Sequence, residues 1–310
     1  MRTSNFSRGV LCFWALIALA ACGGLQSGVR PSWPIQQSVA QPRSNSQPCT
    51  HGPEPDKNLV EYAYVTNGTS NSVSAYTICA TTGALTPVAG SPFAAGAGPN
   101  TVAVDPTGKF AYVSNCCSEN ISAYKIRSSG ALTPVAGSPF AAGYGPQGVA
   151  ADPAGKFVYV ANVVSNDVSA YKININGALT SVIGSPFAAG ISPVSVAVDA
   201  RGKFVYVPNY DNDLGGNISA YTINGTSGVL TPVTGSPFES AVAPYGSAAD
   251  PNGKFVYVTS VNTDTLYGYA IDPLSGAITL AAAAGAGFSP NVVAIDPTGK
   301  FAYVTDQYDT

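Results

Sequence analysis

The sequence predicts an all-β chain: a β-propeller of four-stranded blades, about five of them present. Three observations carry this. The segment Gly83–Phe93 returns almost letter for letter at Gly130–Phe140, Gly177–Phe187 and Gly228–Phe238. Between those copies Asp105-Pro-Thr-Gly-Lys-Phe110 returns as Asp152–Phe157, Asp199–Phe204, Asp250–Phe255 and Asp296–Phe301, its aspartates 47, 47, 51 and 46 residues apart. Charged residues make up only 10% of the 310, while Gly (33), Pro (24) and Tyr (17) are abundant. That mix suits short strands joined by turns and not long helices.

Taken in chain order, residues 1–21 read as an export leader. Arg2 and Arg8 precede the apolar run Val10–Ala18, which is too short to span a bilayer comfortably. The leader ends in Leu19-Ala20-Ala21-Cys22, followed by Gly23-Gly24. This resembles the lipobox of bacterial lipoproteins, and the resemblance implies that the Cys22 sulfur takes a diacylglycerol. An ordinary secretory leader with a chance cysteine is the alternative. Residues 22–57 hold six prolines among Ser, Gln and Asn without apolar periodicity, which reads as a spacer. Residues 58–310 are the propeller repeats. Losing Arg2 and Arg8 takes the formal charge from −3 to −5, and no basic stripe remains that could neutralise phosphates. Nucleic acid is therefore not an expected partner.

Each repeat shows four strand signals, in the second unit Thr101–Asp105, Phe110–Ser114, Ile121–Ile126 and Ala131–Val135. Several are apolar on both faces, as expected of sheets stacked between neighbours. Asp-Pro-x-Gly-Lys reads as a tight turn in which proline presets φ and glycine takes the positive φ. It recurs at Asp105/Gly108, Asp152/Gly155, Asp199/Gly202 (with Ala200 in place of the proline), Asp250/Gly253 and Asp296/Gly299. Asn115–Asn120 reads as a polar connection. Ser-Pro-Phe is expected to cross toward the next unit, its Phe filling the joint.

Tyr64-Val65-Thr66-Asn67, echoed by Tyr112–Asn115 and Tyr159–Asn162, spells the motif of the YVTN propeller repeats. With Gly-Ala-Leu-Thr-Pro and Ser-Pro-Phe, residues 58–310 resemble the lactonase-like seven-bladed propeller family. That family includes 6-phosphogluconolactonases and cyclases acting on carboxymuconate lactones. The resemblance implies the fold and, more weakly, lactone chemistry, because the shared letters are turn and packing residues. Seven blades need roughly 330 residues of repeat, against about 250 here. The first unit starts at its second strand and the last stops after Phe301–Thr305, so neither a five- nor a seven-bladed ring closes cleanly, and the resemblance implies a propeller truncated from seven blades.

Lactone hydrolysis needs a water activator and an oxyanion stabiliser. The one histidine, His51, lies in the spacer, and the arginines of the repeats are Arg127 and Arg201. None matches the family's catalytic pattern, so the catalytic residues stay unknown. The recurrent aspartates with Lys109, Lys156, Lys203, Lys254 and Lys300 are expected to ring one face of the disc, as turn chemistry or as an anion site. The insertion Asp211–Asn217 reads as a polar loop; its oxygens fall short of a calcium pattern. Four cysteines survive export and lipidation, and three pairings are open. We expect Cys49 to pair with Cys79, leaving Cys116 and Cys117 as a strained adjacent pair or two thiols. No metal or cofactor is expected. The protein is expected to sit at the cell envelope on its lipid anchor, binding a glycan, a peptide or an envelope protein, with lactone hydrolysis as the alternative.

Overall fold

The computed structural model describes residues 61–79, 82–211 and 215–307. Cys22, Cys49 and His51 lie outside the described residues, as does the core of the 211–217 insertion. Six antiparallel sheets follow one another in chain order. In the second unit the inner strand Pro99–Val104, the second strand Phe110–Asn115, the third Asn120–Ile126 and the fourth Leu132–Pro134 pair in sequence. The first sheet begins with a second strand, Glu61–Asn67, and the last holds Pro290–Ile295 and Ala302–Asp306.

The second strands Phe110–Asn115, Phe157–Asn162 and Phe204–Asn209 are buried at every position. A strand apolar on both faces needs a sheet on each side, which stacked blades supply. Where only one neighbouring sheet is described, burial falls: Val65 is 47% exposed and Tyr303 65%.

Ser-Pro-Phe pairs with its own unit instead of crossing, while its Phe fills the joint as expected: Phe93, Phe140, Phe187 and Phe238 pack in cores that include the next unit's second strand. Phe140–Ala141 returns onto the start of its own third strand, Phe140 opposite Ile121, and the same holds for Phe93–Ala94, Phe187–Ala188 and Phe238–Glu239. The serine decides this. Ser138 Oγ accepts the Ala123 N–H at 2.9 Å, as Ser91, Ser185 and Ser236 accept from Ala75, Ala170 and Ala220. Each of these sheets thereby gains a short extra piece beyond the strands expected.

The joints are sewn by tyrosines in both directions. The tyrosines of the first four second strands donate to glycine carbonyls in the next unit: Tyr64 to Gly130 at 2.9 Å, Tyr112 to Gly177 at 3.1 Å, Tyr159 to Gly228 at 3.2 Å and Tyr206 to Gly276 at 3.0 Å. Third-strand tyrosines reach back: Tyr124 donates to Ala94, Tyr171 to Ala141 and Tyr221 to Ala188 at 2.5–2.6 Å. A phenol brings a large apolar body into the joint while its hydroxyl finds a partner there.

Burial pushes the Tyr64 hydroxyl up to about 12, and Tyr112, Tyr159 and Tyr206 are raised for the same reason, with the nearby turn aspartates adding to the last three. A raised folded value means stability present in full below the unfolded pKa near 10 and lost as pH rises through the folded values. The melting temperature is therefore expected to change little between neutrality and about pH 9, then fall steeply between about pH 10 and 12. A melting temperature still level at the top of that window would refute the role of the joint phenols.

Candidate functional site

Strand direction sorts the chemistry of the disc between two faces. The turns after each inner and each third strand lie at one end of the sheets, the turn face. The hairpins between second and third strands, and the loops linking units, lie at the other, the hairpin face. Lys109, Lys156, Lys203, Lys254 and Lys300, with Arg201, project exposed from the turn face. Lys125, Arg127 and Lys172 also lie at that end, since Lys125 pairs opposite Phe110 and Lys172 opposite Phe157. Among the described residues no Lys or Arg lies on the hairpin face, which carries Glu119, Asp167, Asp211, Glu239, Asp264 and Asp306.

The recurrent aspartates are spent on their own turns. Asp105 Oδ1 accepts the N–H of Lys109 at 2.8 Å and of Phe110 at 2.7 Å, while Oδ2 accepts that of Thr107 at 3.2 Å. Asp152 and Asp199 repeat the pattern, and the glycines hold φ between +64° and +71° at Gly108, Gly155, Gly202, Gly253 and Gly299. Asp105, Asp152, Asp199 and Asp250 are at most 4% exposed. Asp296 is held below the usual carboxylate range by the Thr298 hydroxyl and the amides of its turn. What faces solvent on the turn face is thus mainly lysine and arginine, with the recurrent carboxylates folded under the backbone.

On the hairpin face the fourth unit breaks the pattern of the repeats. Thr66, Ser114 and Thr259, near the end of their second strands, donate to the carbonyls of Asn100, Gln147 and Asn291 in the next inner strand. The fourth unit has Pro208 there and an inner strand cut to Ala197–Val198. Ser247 Oγ instead donates to Ser195 Oγ at 2.9 Å, and the Gly246 N–H to Thr259 Oγ1 at 2.8 Å. Beside this stretch Tyr210 and Tyr245 meet edge to face, ring centroids 6.1 Å apart, against Val163, Val194, Ala243 and Val261. Burial, with Tyr245 adding, pushes Tyr210 up to about 12. The 211–217 insertion leaves from this cluster, the Gly216 N–H donating to the Asp211 carbonyl at 3.3 Å.

Inner strands border the axis of a propeller, so these hydroxyls and aromatic edges stand near its mouth. They can donate, accept and stack. Tyr210, Tyr245, Ser195 and Ser247 were not singled out from sequence. The signal for them was the loss of repetition, with Pro208 standing where the other units carry a hydroxyl or alanine and Tyr210 where none of them carries an aromatic residue.

The adjacent cysteine pair needs correction. Cys116 Sγ lies 3.2 Å from Cys117 Sγ, well beyond the ~2.05 Å of a disulfide. Cys116 is a free thiol, raised by burial, while Cys117, like Cys79, is disulfide-bonded, so the two are neither an adjacent pair nor two thiols. Adjacent residues in a hairpin cannot bring their sulfurs together without distorting the intervening peptide. Cys79 closes the third strand of the first unit at 8% exposure, and its expected partner Cys49 lies outside the described residues. Among the described residues no three side chains gather that could hold a metal.

Residues 54–186 match the family described as Lactonase, 7-bladed beta-propeller. No curated protein matches the chain in sequence. A Bacteroides fragilis structure provisionally assigned as a 6-phosphogluconolactonase is 18% identical, with 78% of this chain and 70% of that one covered and a TM-score of 0.65. Its Bacteroides uniformis counterpart is also 18% identical, with 79% and 74% covered and a TM-score of 0.66. The periplasmic gluconolactonase of Pseudomonas aeruginosa is 22% identical, with 76% and 69% covered and a TM-score of 0.60. At such identities the likeness is one of fold. The family match spans under half of the chain, and the chain has the β-propeller fold.

Proposed function

We propose that this lactonase-like propeller is exported, held at the cell envelope by a lipid on Cys22, and works there as a binding or scaffold module. One observation carries the binding part. The recurrent carboxylates and tyrosines are committed to turns and joints, while the side chains left facing solvent on the hairpin face are apolar, acidic and hydroxyl groups. Such a surface recognises a partner without needing a group that titrates near neutrality.

Lactone hydrolysis is the second reading, and the comparisons favour it, since the family description and the names of three similar solved structures carry lactonases. The hydroxyls near the axis, Ser195 and Ser247, would be its hydrogen-bonding groups. The two readings separate on turnover of glucono-δ-lactone by purified protein at pH 6–7, followed by proton release. We expect no rate above the spontaneous one. Turnover that disappears with Ser195→Ala or Ser247→Ala would establish the hydrolase in place of the binding module.

The anchor has its own test. Cys22→Ser is expected to abolish palmitate labelling and move the protein from the membrane to the soluble fraction. Labelling that persists in that variant would remove the lipid anchor.

A further inference from the structure

The loops that link units share one pattern on the hairpin face: an apolar residue, a residue with left-handed backbone, then proline. The apolar residues are Ala97, Tyr144, Ile191, Val242 and Phe288. The left-handed residues after them are Gly98 (φ 64°), Gly145 (67°), Ser192 (51°), Ala243 (52°) and Ser289 (55°). Three of these are not glycine, so the conformation is held there at a cost of about 1 kcal/mol or more each. The loop thus presents the preceding side chain in the same way in every unit.

In four of the five loops that side chain is turned to solvent, Ala97 being half-buried. Tyr144 is 60% exposed, Ile191 54%, Val242 40% and Phe288 59%. Core packing does not require an apolar residue at an exposed position, where polar residues are ordinarily tolerated. Here the residue type changes from unit to unit while the apolar character does not. Val164, 57% exposed in the neighbouring hairpin, extends the same rim. Apolar groups spaced regularly around a face mark a contact surface far better than single exposed residues do.

The charges on this face select the occupant. Glu119, Asp167, Glu239 and Asp264 lie between the apolar positions, and every described Lys and Arg is at the opposite end of the sheets. An anionic membrane or a nucleic acid would be repelled, and aliphatic knobs spread around a rim offer no compact pocket for a small ligand. We propose that this rim docks a polypeptide surface carrying apolar side chains among Lys and Arg. Apolar burial supplies the affinity, and the acidic positions steer and orient the partner. The inference rests on the binding reading above and names the partner class for it.

The test is fluorescence anisotropy of the full chain with a short labelled Lys/Leu amphipathic peptide, compared with its Glu/Leu and Lys/Ser counterparts. The Lys/Leu peptide is expected to bind about tenfold or more tighter than either. The triple variant Tyr144→Ser, Ile191→Ser, Phe288→Ser, checked for an unchanged melting temperature, is expected to lose about tenfold or more. Glu119→Gln with Glu239→Gln should weaken binding and flatten its salt dependence. Lys109→Gln with Lys156→Gln, on the turn face, should leave binding unchanged. Equal binding of the Glu/Leu peptide, or undiminished binding by the serine variant, overturns the proposal. Concentration-dependent assembly in light scattering that the serine variant abolishes would assign the rim to a second copy and overturn it as well. Lactone turnover by the same preparation would defeat the binding reading while leaving the peptide titration to judge the rim separately.

Discussion

Gly228→Ala is expected to lower stability by about 3 kcal/mol or more, the larger of two substitution effects that the joints and turns imply. Two penalties add at this site. Gly228 holds φ +79°, which an L side chain adopts only under strain. A Cβ there would stand 2.5 Å from Cδ1 and Cε1 of Phe157 and 3.0 Å from Cγ2 of Val182. Phe157 is 1% exposed and has no room to retreat, so the joint itself would have to open. Opening it would also draw the Gly228 carbonyl away from the Tyr159 hydroxyl. Gly108→Ala is the control. It holds φ +66°, but its Cβ would meet nothing within 4 Å, so only the backbone strain of about 1 kcal/mol is expected. Urea unfolding of both variants measures the difference. Equal midpoints would mean that the close approach of glycine to the ring contributes nothing to holding the units together.

Asp152→Ala is expected to cost about 3 kcal/mol, through the turn instead of the joint. Asp152 Oδ1 accepts the amides of Lys156 at 2.5 Å and Phe157 at 2.7 Å, and Oδ2 accepts that of Ala154 at 3.3 Å. Alanine leaves the Phe157 N–H buried without an acceptor at the mouth of a fully buried strand. Asp152→Asn separates charge from hydrogen bonding. Its carbonyl oxygen can keep both bonds made by Oδ1, so a loss of only about 1 kcal/mol is expected. If asparagine costs as much as alanine, the negative charge is what holds the turn, and the two amides are not.

Some of this could be read from the chain itself, for a physical reason. The Asp-Pro-x-Gly-Lys turn closes within six residues: the carboxylate reaches amides four and five positions on, and glycine supplies the conformation between them. The second strands were equally legible, because an apolar run between turn signals has to be buried on both sides. Ser-Pro-Phe was read as a crossing segment because its letters show an apolar residue after a turn but not which strand it joins. The serine-to-alanine hydrogen bond that holds it to its own unit spans 15 or 16 residues. The adjacent cysteines showed two sulfurs close in sequence, while hairpin geometry keeps them 3.2 Å apart.

The sequence by itself determined the repeat, its turns and strands, and through them a propeller, since all of these rest on chemistry between near neighbours or on burial pattern. Only the tertiary structure decided the joints, the faces and the candidate site. The acceptors of Tyr112, Tyr159 and Tyr206 are glycine carbonyls 65 to 70 residues away, and a backbone carbonyl has no sequence signature. Tyr210 and Tyr245 belong to different units and meet only because those units stack. The division into a lysine face and an acidic, apolar face follows from strand direction, which sends like positions of every repeat to the same end of the disc. Periodicity alone lists those positions; stacking the sheets is what turns them into a surface.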